Sequence, residues 1–240
     1  MHIRLVALLF LSLASFMGRG AQAADGTPAK VVVLDLTGLG LHGANADLPK
    51  ALGTYLRNSI ATMDGFQLLP PVDVQIAVQQ AANKRLIDCT GGSKCSAEIG
   101  KLVAADRVIF GTIGAVSNAY SLNARVVDVA TGREAAKYQA TFAGSRDALI
   151  PEIRLAAYKL LAPDRIRGSL SVQTDVEGAV VEVDGTARGT TPMNEPVRYL
   201  TPGKHVIAIK RPGYATFTQD LQIRAFETAK LQLRLSAKAE

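Results

Sequence analysis

The chain of 240 residues contains no tryptophan, and aromatic residues make up only 5% of it. Surfaces that stack nucleic-acid bases and clefts that hold sugar rings are usually lined with aromatic side chains, so this composition argues against both ligands. Histidine is equally scarce, because His2, His42 and His205 are the three in the chain. We expect His205, which follows a Pro-Gly turn, to pack or form hydrogen bonds at the start of a strand rather than act as an acid or base.

Motifs for nucleotide binding and hydrolysis are also missing. Gly38, Gly40 and Gly43 follow the first predicted strand, but they lack the helix-opening glycine of a dinucleotide loop and the Gly-Lys of a P-loop. No serine stands in G-x-S-x-G, and no pair of acids can be singled out by spacing alone. We therefore predict a protein that is not an enzyme and has no cofactor, metal or nucleic-acid ligand.

Two cysteines are present, Cys89 and Cys95, joined by the flexible sequence TGGSK. In an exported chain this pair predicts a structural disulfide, which would contribute roughly 2 kcal/mol by constraining the unfolded loop. Free buried thiols are one alternative and a redox or metal role is another. A metal site needs more ligands than two thiols, and redox pairs are ordinarily spaced C-x-x-C.

The amino terminus has the organisation of a signal peptide. Arg4 precedes the apolar run Leu5 to Met17, and Ala21-Gln22-Ala23 offers small residues for cleavage after Ala23. The run is shorter than the ~20 residues that span a bilayer, and no cysteine follows it for lipid attachment. We predict residues 1–23 to be a signal peptide and the mature chain to be periplasmic or secreted, with no transmembrane segment.

Cleavage would remove two arginines and no acids, so the net charge would fall from +6 to +4. Such a dispersed charge is typical of a solvated surface, although it could also favour anionic glycans or lipid head groups.

Residues 28–162 are predicted to form a mixed α/β domain. Lys30-VVVLDL has the β-branched composition of a buried strand. A helix follows, and Asn45 or Asp47 is its predicted cap. Its leucine and isoleucine residues recur every four positions, at Leu48, Leu52, Leu56 and Ile60. Further predicted elements are a strand at Phe66–Leu69, a helix from Asp73 to about Lys84, a helix capped by Ser96 with Ile99, Leu102 and Val103 inward, strands at 108–113, 120–129 and 134–142, and a helix at 146–161.

From Gly168 onward the apolar pattern changes to a period of two, which places the domain boundary near Pro163 to Arg165. Strands are predicted at 170–173, 179–183, 206–209, 217–223 and 231–235. Asp184-Gly185 indicates a hairpin turn, and Pro202-Gly203 fits the centre of a type II turn. We therefore predict a small all-β sandwich after the α/β domain, which makes the chain α+β overall.

The turns of this second part carry a family resemblance. The motifs are Val176-Glu-Gly178-Ala with Asp184-Gly185, then Gly189-x-Thr191-Pro192, Pro202-Gly203 and Gly213-Tyr214. They resemble the PEGA domain family across residues 167–236, with Val176 in place of the proline that gives the family its name. The resemblance implies an extracytoplasmic β-sandwich used for binding or as a spacer, in which Gly178, Asp184, Gly185, Pro202, Gly203, Gly213 and Tyr214 shape the turns.

The first part resembles, more weakly, the α/β domain shared by the amino-terminal part of the TolB translocation protein and the curli-secretion lipoprotein. The segments VVVLDL, AADRVIFGTIG and YSLNARVVDVATG carry this resemblance. The lipidation cysteine of the curli-type pattern is missing. We expect a cell-envelope binding or scaffold protein that contacts a protein partner, and alternatively one that binds peptidoglycan or another glycan through Lys204, Lys210, Arg211 and Arg224.

Overall fold

The computed structural model describes residues 26–80, 86, 92–116 and 119–238. Within these residues, one sheet carries helices and two smaller sheets carry none. The α+β class predicted above is therefore confirmed. The predicted signal peptide and Cys89 lie outside the described residues.

The first part of the chain alternates strands and helices. Its elements are β1 (Ala29–Val33), β2 (Thr37–Leu39), α1 (Leu48–Ala61), β3 (Phe66–Leu68), α2 (Pro71–Gln79), α3 (Ser93–Leu102), β4 (Arg107–Val116), β5 (Ala119–Asp128), β6 (Arg133–Ala143) and α4 (Leu149–Leu161). The second part is made of strands. They are β7 (Gly168–Thr174), β8 (Val180–Val183), β9 (Thr186–Thr190), β10 (Val197–Leu200), β11 (Gly203–Lys210), β12 (Phe217–Ile223) and β13 (Thr228–Leu233).

The first sheet has the order β3-β1-β4-β5-β6, and β2 pairs with β4 beyond the end of β1. The pairs of β1 with β3 and β4 are parallel, whereas β4, β5 and β6 are antiparallel neighbours. Parallel strands in such sheets are covered on both faces, and the all-apolar run Val31-Val32-Val33 fits that position.

Helices α1 and α4 cover one face of this sheet. The predicted repeat on α1 is buried as a set, and it packs with Ile109 and Ile113 of β4 and with Leu149 and Ile153 of α4. On the opposite face Ala97 of α3 packs with Phe110 and Val127. A side chain at Gly100 would place its Cβ 2.5 Å from Val129, so glycine there allows α3 to lie close to the sheet.

Two of the predicted helix starts are wrong, and a third is right in position. Asp47 is the residue before α1 as predicted, but its side chain makes no capping bond and instead accepts a hydrogen bond from Arg146 at 3.1 Å. Helix α2 begins at Pro71, where a missing N–H costs nothing, so Asp73 lies in its first turn. Helix α3 begins at Ser93, so that Ser96 is a buried helical residue rather than the cap. Leu102, which was predicted to face inward with Ile99, is instead 39% exposed.

The second part is a sandwich of a three-stranded sheet, β10-β7-β13, and a four-stranded sheet, β12-β11-β8-β9. Its core is a separate cluster formed by inward side chains of both sheets, among them Leu170, Val181, Ile207 and Ile209. Strand β11 lies inside its sheet and pairs with β12 and β8, which agrees with the alternation of its sequence.

Strands β2, β9 and β10 were not predicted. Strand β9 reads TARGT and is exposed along its whole length, so it has no apolar alternation to detect. Strand β10 has four residues and an irregular register against β7 between Val197 and Leu200. Edge strands this short are set by the neighbours they pair with rather than by their own sequence.

The Thr191 side chain joins two of the predicted turn motifs. It is buried, its hydroxyl donates to the carbonyl oxygen of Val176 at 2.6 Å, and it accepts from the N–H of Ala179 at 3.0 Å. The Thr191 hydroxyl therefore provides hydrogen-bond partners for the first and last residues of the Val176-Glu-Gly178-Ala turn.

In the described part of the chain, none of the helices combines the length and the apolar character needed to cross a membrane.

Candidate functional site

A cleft of about 840 Å³ lies where the two parts of the chain meet. One wall comes from α1 and α4, and the other from the turn between β10 and β11 and the turn between β12 and β13. We call it the junction cleft and define it by Tyr55, Ile150, Arg154, Pro202 and Phe226. Its volume lies within the usual range for ligand-binding clefts.

Phe226 connects the two walls. Its ring lies 4.7 Å from that of Tyr158, centroid to centroid, and the guanidinium of Arg154 lies 4.3 Å above its face. Both contacts cross from the sandwich to α4, and both geometries are favourable for aromatic and cation–π pairs. Phe226 therefore helps fix the width of the junction cleft.

The backbone at Phe226 is strained, with φ at +63°, a conformation that non-glycine residues rarely adopt. It is held there by the hydrogen bond from the Phe226 N–H to the carbonyl oxygen of Arg167 at 2.8 Å. Glycine at position 168 allows this close approach, because a Cβ there would lie 2.4 Å from the carbonyl oxygen of Arg224. Strain of this kind persists where the surrounding contacts compensate for it.

Apolar side chains stand open to solvent in the cleft. Tyr55 on α1 is 42% exposed and Ile150 in the first turn of α4 is 37% exposed. Both face away from the core for a local reason, since the inward positions of their helices are taken by Leu52, Leu56 and Ile153. Tyr55 and Ile150 therefore offer apolar contact area for a partner. The core stays packed when no partner covers them, because neither residue belongs to it.

Positive charge predominates in the cleft. Four cationic side chains and two carboxylates line it, namely Arg154, Lys159, Arg167, Arg224, Glu152 and Glu227. Glu152 accepts a hydrogen bond from the hydroxyl of Tyr138 at 3.1 Å, and Glu227 lies 3.8 Å from Arg224. Burial, together with the charge of Glu152, raises the pKa of Tyr138, so its hydroxyl keeps its proton and remains the donor.

The sequence-predicted turn residues are spread over the sandwich, and one of them reaches the cleft. Asp184 and Gly185 both have positive φ, at +51° and +76°, and join β8 to β9 as a hairpin. Pro202 lines the junction cleft, while Gly203 has φ at +144° rather than the value near +80° of the type II turn we predicted.

Gly178 and the Gly213-Tyr214 turn lie elsewhere. Gly178 has φ at +68°, and its carbonyl oxygen accepts from Arg211 at 3.2 Å. The Gly213-Tyr214 turn packs on the carboxyl-terminal segment, since the carbonyl oxygen of Gly213 accepts from the N–H of Lys238 at 2.9 Å.

His205 is 8% exposed and makes the structural contacts expected of it. Its Nδ1 lies 2.6 Å from the Asp184 carboxylate and its Nε2 lies 2.7 Å from the carbonyl oxygen of Thr201. Burial by itself lowers the pKa of His205, but the hydrogen bonds to Thr201 and Asp184 raise it above its ordinary value. Hydrogen bonds from the N–H of Val206 and from the His205 ring hold the pKa of Asp184 below the ordinary value for an aspartate.

The four basic residues considered for glycan binding do not form a free patch. Lys204 pairs with Asp220 at 2.6 Å and Lys210 with Glu182 at 2.6 Å, and Arg211 donates to Gly178. Arg224 is held less closely by Glu227. Lys204 and Lys210, and more loosely Arg224, therefore have carboxylates beside them, whereas the partner of Arg211 is a backbone carbonyl.

Cys95 lies in the first turn of α3, and Cys89 lies outside the described residues, so the disulfide stays a prediction. In the glycine-rich stretch, Gly38 belongs to β2 and pairs with β4, whereas Gly40 and Gly43 follow the strand. Across the described ranges, no group of three or more histidine, cysteine or acidic residues is placed to hold a metal ion.

Sequence reasoning did not find the cleft. The helical repeat of α4 could have identified Ile150 and Arg154 as outward residues, because its apolar positions Leu149, Ile153, Ala157 and Leu160 form one stripe. No local signal marks Phe226, whose importance depends on Tyr158, 68 positions earlier in the sequence.

The described residues thus form two parts, a helix-covered mixed sheet joined to a β-sandwich, with the junction cleft between them. The PEGA domain model matches residues 167–239, so the predicted PEGA module is confirmed. A second family model, described as a protein of unknown function (DUF2380), matches residues 36–151. No curated protein matches the chain.

Several solved structures are similar in fold. The LpoB C-terminal domain from Salmonella enterica is 22% identical with a TM-score of 0.40, covering 50% of this chain and 88% of that one. Lipoprotein GNA1162 from Neisseria meningitidis is 16% identical with a TM-score of 0.35, covering 50% and 84%. TolB from Acinetobacter baumannii, which the first part was expected to resemble, is 12% identical with a TM-score of 0.38, covering 84% and 50%. With TM-scores below 0.5, no function is inferred from these similarities.

Proposed function

We propose that this is an exported cell-envelope protein that acts without catalysis, by binding another protein in the junction cleft. The observation that carries the proposal is the mixed character of the cleft, which combines open apolar side chains with cations and is built from both parts of the chain. Protein interfaces are enriched in tyrosine and arginine, and Tyr55 and Arg154 stand on the α1 and α4 wall.

The titratable groups of the cleft support a binding role. Apart from Tyr55 they are lysine, arginine and glutamate side chains, and each of the two glutamates is already engaged by Tyr138 or Arg224. A catalytic site is usually recognised by a nucleophile next to a base, or by two groups of opposite protonation state facing one substrate. The cleft residues are instead suited to fix a partner by contact and charge.

An envelope location follows from the predicted signal peptide and from the predicted Cys89–Cys95 disulfide, which an oxidising compartment would maintain. The division into domains at 28–162 and 167–236 is part of the proposal. Two separate core clusters, one drawn from residues 31–160 and one from residues 170–235, support it.

The alternative, binding of peptidoglycan or another glycan through the sandwich, depended on a basic surface. Since Lys204 and Lys210 are paired with carboxylates, the contacts favour the protein-binding role. Sedimentation of the mature protein with purified cell wall, at low and at moderate salt, tests this alternative directly.

Site-specific photo-crosslinking in intact cells tests the proposed role. A photoreactive phenylalanine is placed at Tyr55 or Ile150 in the cleft, and at Thr186 on exposed strand β9 as the matched control. We expect a discrete crosslinked protein from the two cleft positions and none from the control. Equal crosslinking from all three positions, or crosslinks from the control alone, would refute the cleft as the binding surface.

A further inference from the structure

The charges of the junction cleft are unbalanced once internal pairs are removed. Glu227 lies 3.8 Å from Arg224, which balances that pair. Glu152 accepts a hydrogen bond from the neutral hydroxyl of Tyr138, which does not cancel its charge, so three cations face one carboxylate. Arg154, Lys159 and Arg167 then remain, and in the described part of the chain no carboxylate forms an ion pair with them. A free carboxylate entering the cleft would meet these cations without displacing an existing ion pair.

Arg154 is already oriented. Its guanidinium lies 4.3 Å above the ring of Phe226, and stacking of this kind fixes the plane of the group while leaving its edge N–H donors available. An arginine fork in a fixed plane can bind a carboxylate through two parallel hydrogen bonds at little cost in side-chain entropy.

The apolar side chains of the cleft distinguish between anionic ligands. Tyr55 and Ile150 are exposed, and Leu155 and Pro202 also line the cleft. A lipid head group would use the cations and leave this apolar area uncovered, whereas a peptide can carry both carboxylates and apolar side chains. The combination therefore favours a segment of protein.

Resting on the proposed function, we infer that the cleft holds an acidic segment of the partner protein, with a carboxylate on Arg154 and Lys159 and an apolar side chain against Ile150 and Tyr55. The net positive charge of the chain would also increase the rate at which such a segment arrives.

Selection from a random peptide display library tests the inference. Mature protein comprising residues 24–240 is the target, and enriched peptides are measured by fluorescence anisotropy. We expect enriched peptides to combine aspartate or glutamate with phenylalanine, leucine or isoleucine. Their binding should weaken as salt is raised from about 50 to about 500 mM, since exposed charges are screened.

The variant with Arg154→Gln and Lys159→Gln is expected to bind these peptides about three- to tenfold more weakly at low salt. Its matched control carries Arg133→Gln and Lys137→Gln on exposed strand β6 and should differ from the parent less than twofold. A second pair guards against misfolding, because Ile150→Glu and Ile150→Lys remove the same apolar group. Both should lose the apolar contact, and Ile150→Glu should weaken binding more than Ile150→Lys because it also repels an acidic segment.

The outcomes separate the two levels of the proposal. Enriched peptides that are neutral or basic, yet lose affinity when Ile150 is changed, would overturn the acidic segment and keep the cleft as a protein-binding site. If no peptide is enriched, or if no cleft variant changes peptide binding, both the acidic segment and the cleft as a protein-binding site would be overturned. The selection could also yield no acidic peptide while the protein binds phosphatidylglycerol vesicles or purified cell wall through Arg154 and Lys159. That result would show that the cleft binds another anion and not a protein segment.

Discussion

The two parts of this protein are stabilised in different ways. In the first part the buried polar side chain Ser96 has no hydrogen-bond partner among the described residues, and the surrounding contacts are apolar. In the sandwich the buried polar residues Thr191 and His205 each make two hydrogen bonds to neighbouring turns. The helical half depends on the spacing of its apolar residues, whereas the small β module also depends on polar contacts that hold its turns.

The largest expected effect tests whether the two cores are independent. Ile207→Ala should lower the free energy of unfolding of the sandwich by about 2–5 kcal/mol, because it leaves a cavity at a fully buried position. Leu56→Ala should do the same to the first part. Hydrogen exchange read by mass spectrometry over residues 29–61 and 203–223 separates the two effects.

Val206→Ala is the control for Ile207, since Val206 is 44% exposed and should change stability by less than about 0.5 kcal/mol. If either core variant destabilised both parts equally, the chain would be one cooperative unit and the division near residue 163 would be wrong.

The polar contacts of the sandwich are tested by Thr191→Val, which keeps the shape of the side chain. The N–H of Ala179 and the carbonyl oxygen of Val176 would then lose their partner, at a cost of about 1–3 kcal/mol. Thermal unfolding measures the loss. Thr190→Val at the neighbouring exposed position should have little effect, and Thr191→Ser should retain most of the stability.

In the first part, the predicted Cys89–Cys95 disulfide is the corresponding constraint. Cys89→Ser should lower the free energy of unfolding of that part by about 2 kcal/mol and leave the sandwich unchanged. Thiol titration of the denatured, unreduced mature protein gives an independent measurement. Two free thiols per chain would contradict the disulfide.

The contact between the parts is tested by Phe226→Asn. Asparagine tolerates the positive φ at this position but removes the ring from Tyr158 and Arg154, at an expected cost of about 0.5–1.5 kcal/mol. The connection at residues 163–167 should become more sensitive to protease. Tyr199→Asn is the matched control, since Tyr199 has the same φ of +63° but is 80% exposed. Equal sensitivity in both variants would show that Phe226 does not hold the parts together.

The smallest expected effect is a pH dependence confined to the sandwich. The pKa of His205 is raised in the folded state, so its contribution to stability is complete below the unfolded value of about 6.5 and is lost as pH rises through the folded value. The pKa of Asp184 is lowered, so its contribution is present above about 3.9 and is lost as pH falls through the folded value.

Stability of the sandwich should therefore be greatest between these limits. Melting temperatures measured from pH 3 to pH 9 check the curve, and His205→Gln should flatten its upper side. A decline at high pH that persists in that variant would assign the effect to another group.

Much of the fold could be predicted from the sequence, for reasons that differ between the parts. The repeat from Leu48 to Ile60 predicted α1 because it makes one buried stripe whatever the rest of the chain does. Asp184-Gly185 predicted its hairpin because both residues accept positive φ. The helix starts were less predictable: Ser96 fits a cap by composition, but packing against the sheet buries it within α3.

The candidate site was not predictable in the same way. Pro202 was recognised for its turn, and its place in the cleft became visible only when α4 was positioned beside it. The sequence shows the charges of Lys204 and Lys210 but not their carboxylate partners. These partners, Asp220 and Glu182, lie on neighbouring strands. Strand pairing decides which charges are compensated, and a local pattern does not contain that pairing.

The α+β class, the PEGA module and the separate apolar patterns of the two parts could be predicted locally, because periodicity and turn chemistry act over a few residues. The junction cleft depends on long-range packing. Phe226, Arg154 and Tyr55 come from distant segments, and the relation among them arises from how α1, α4 and the β12–β13 turn pack together.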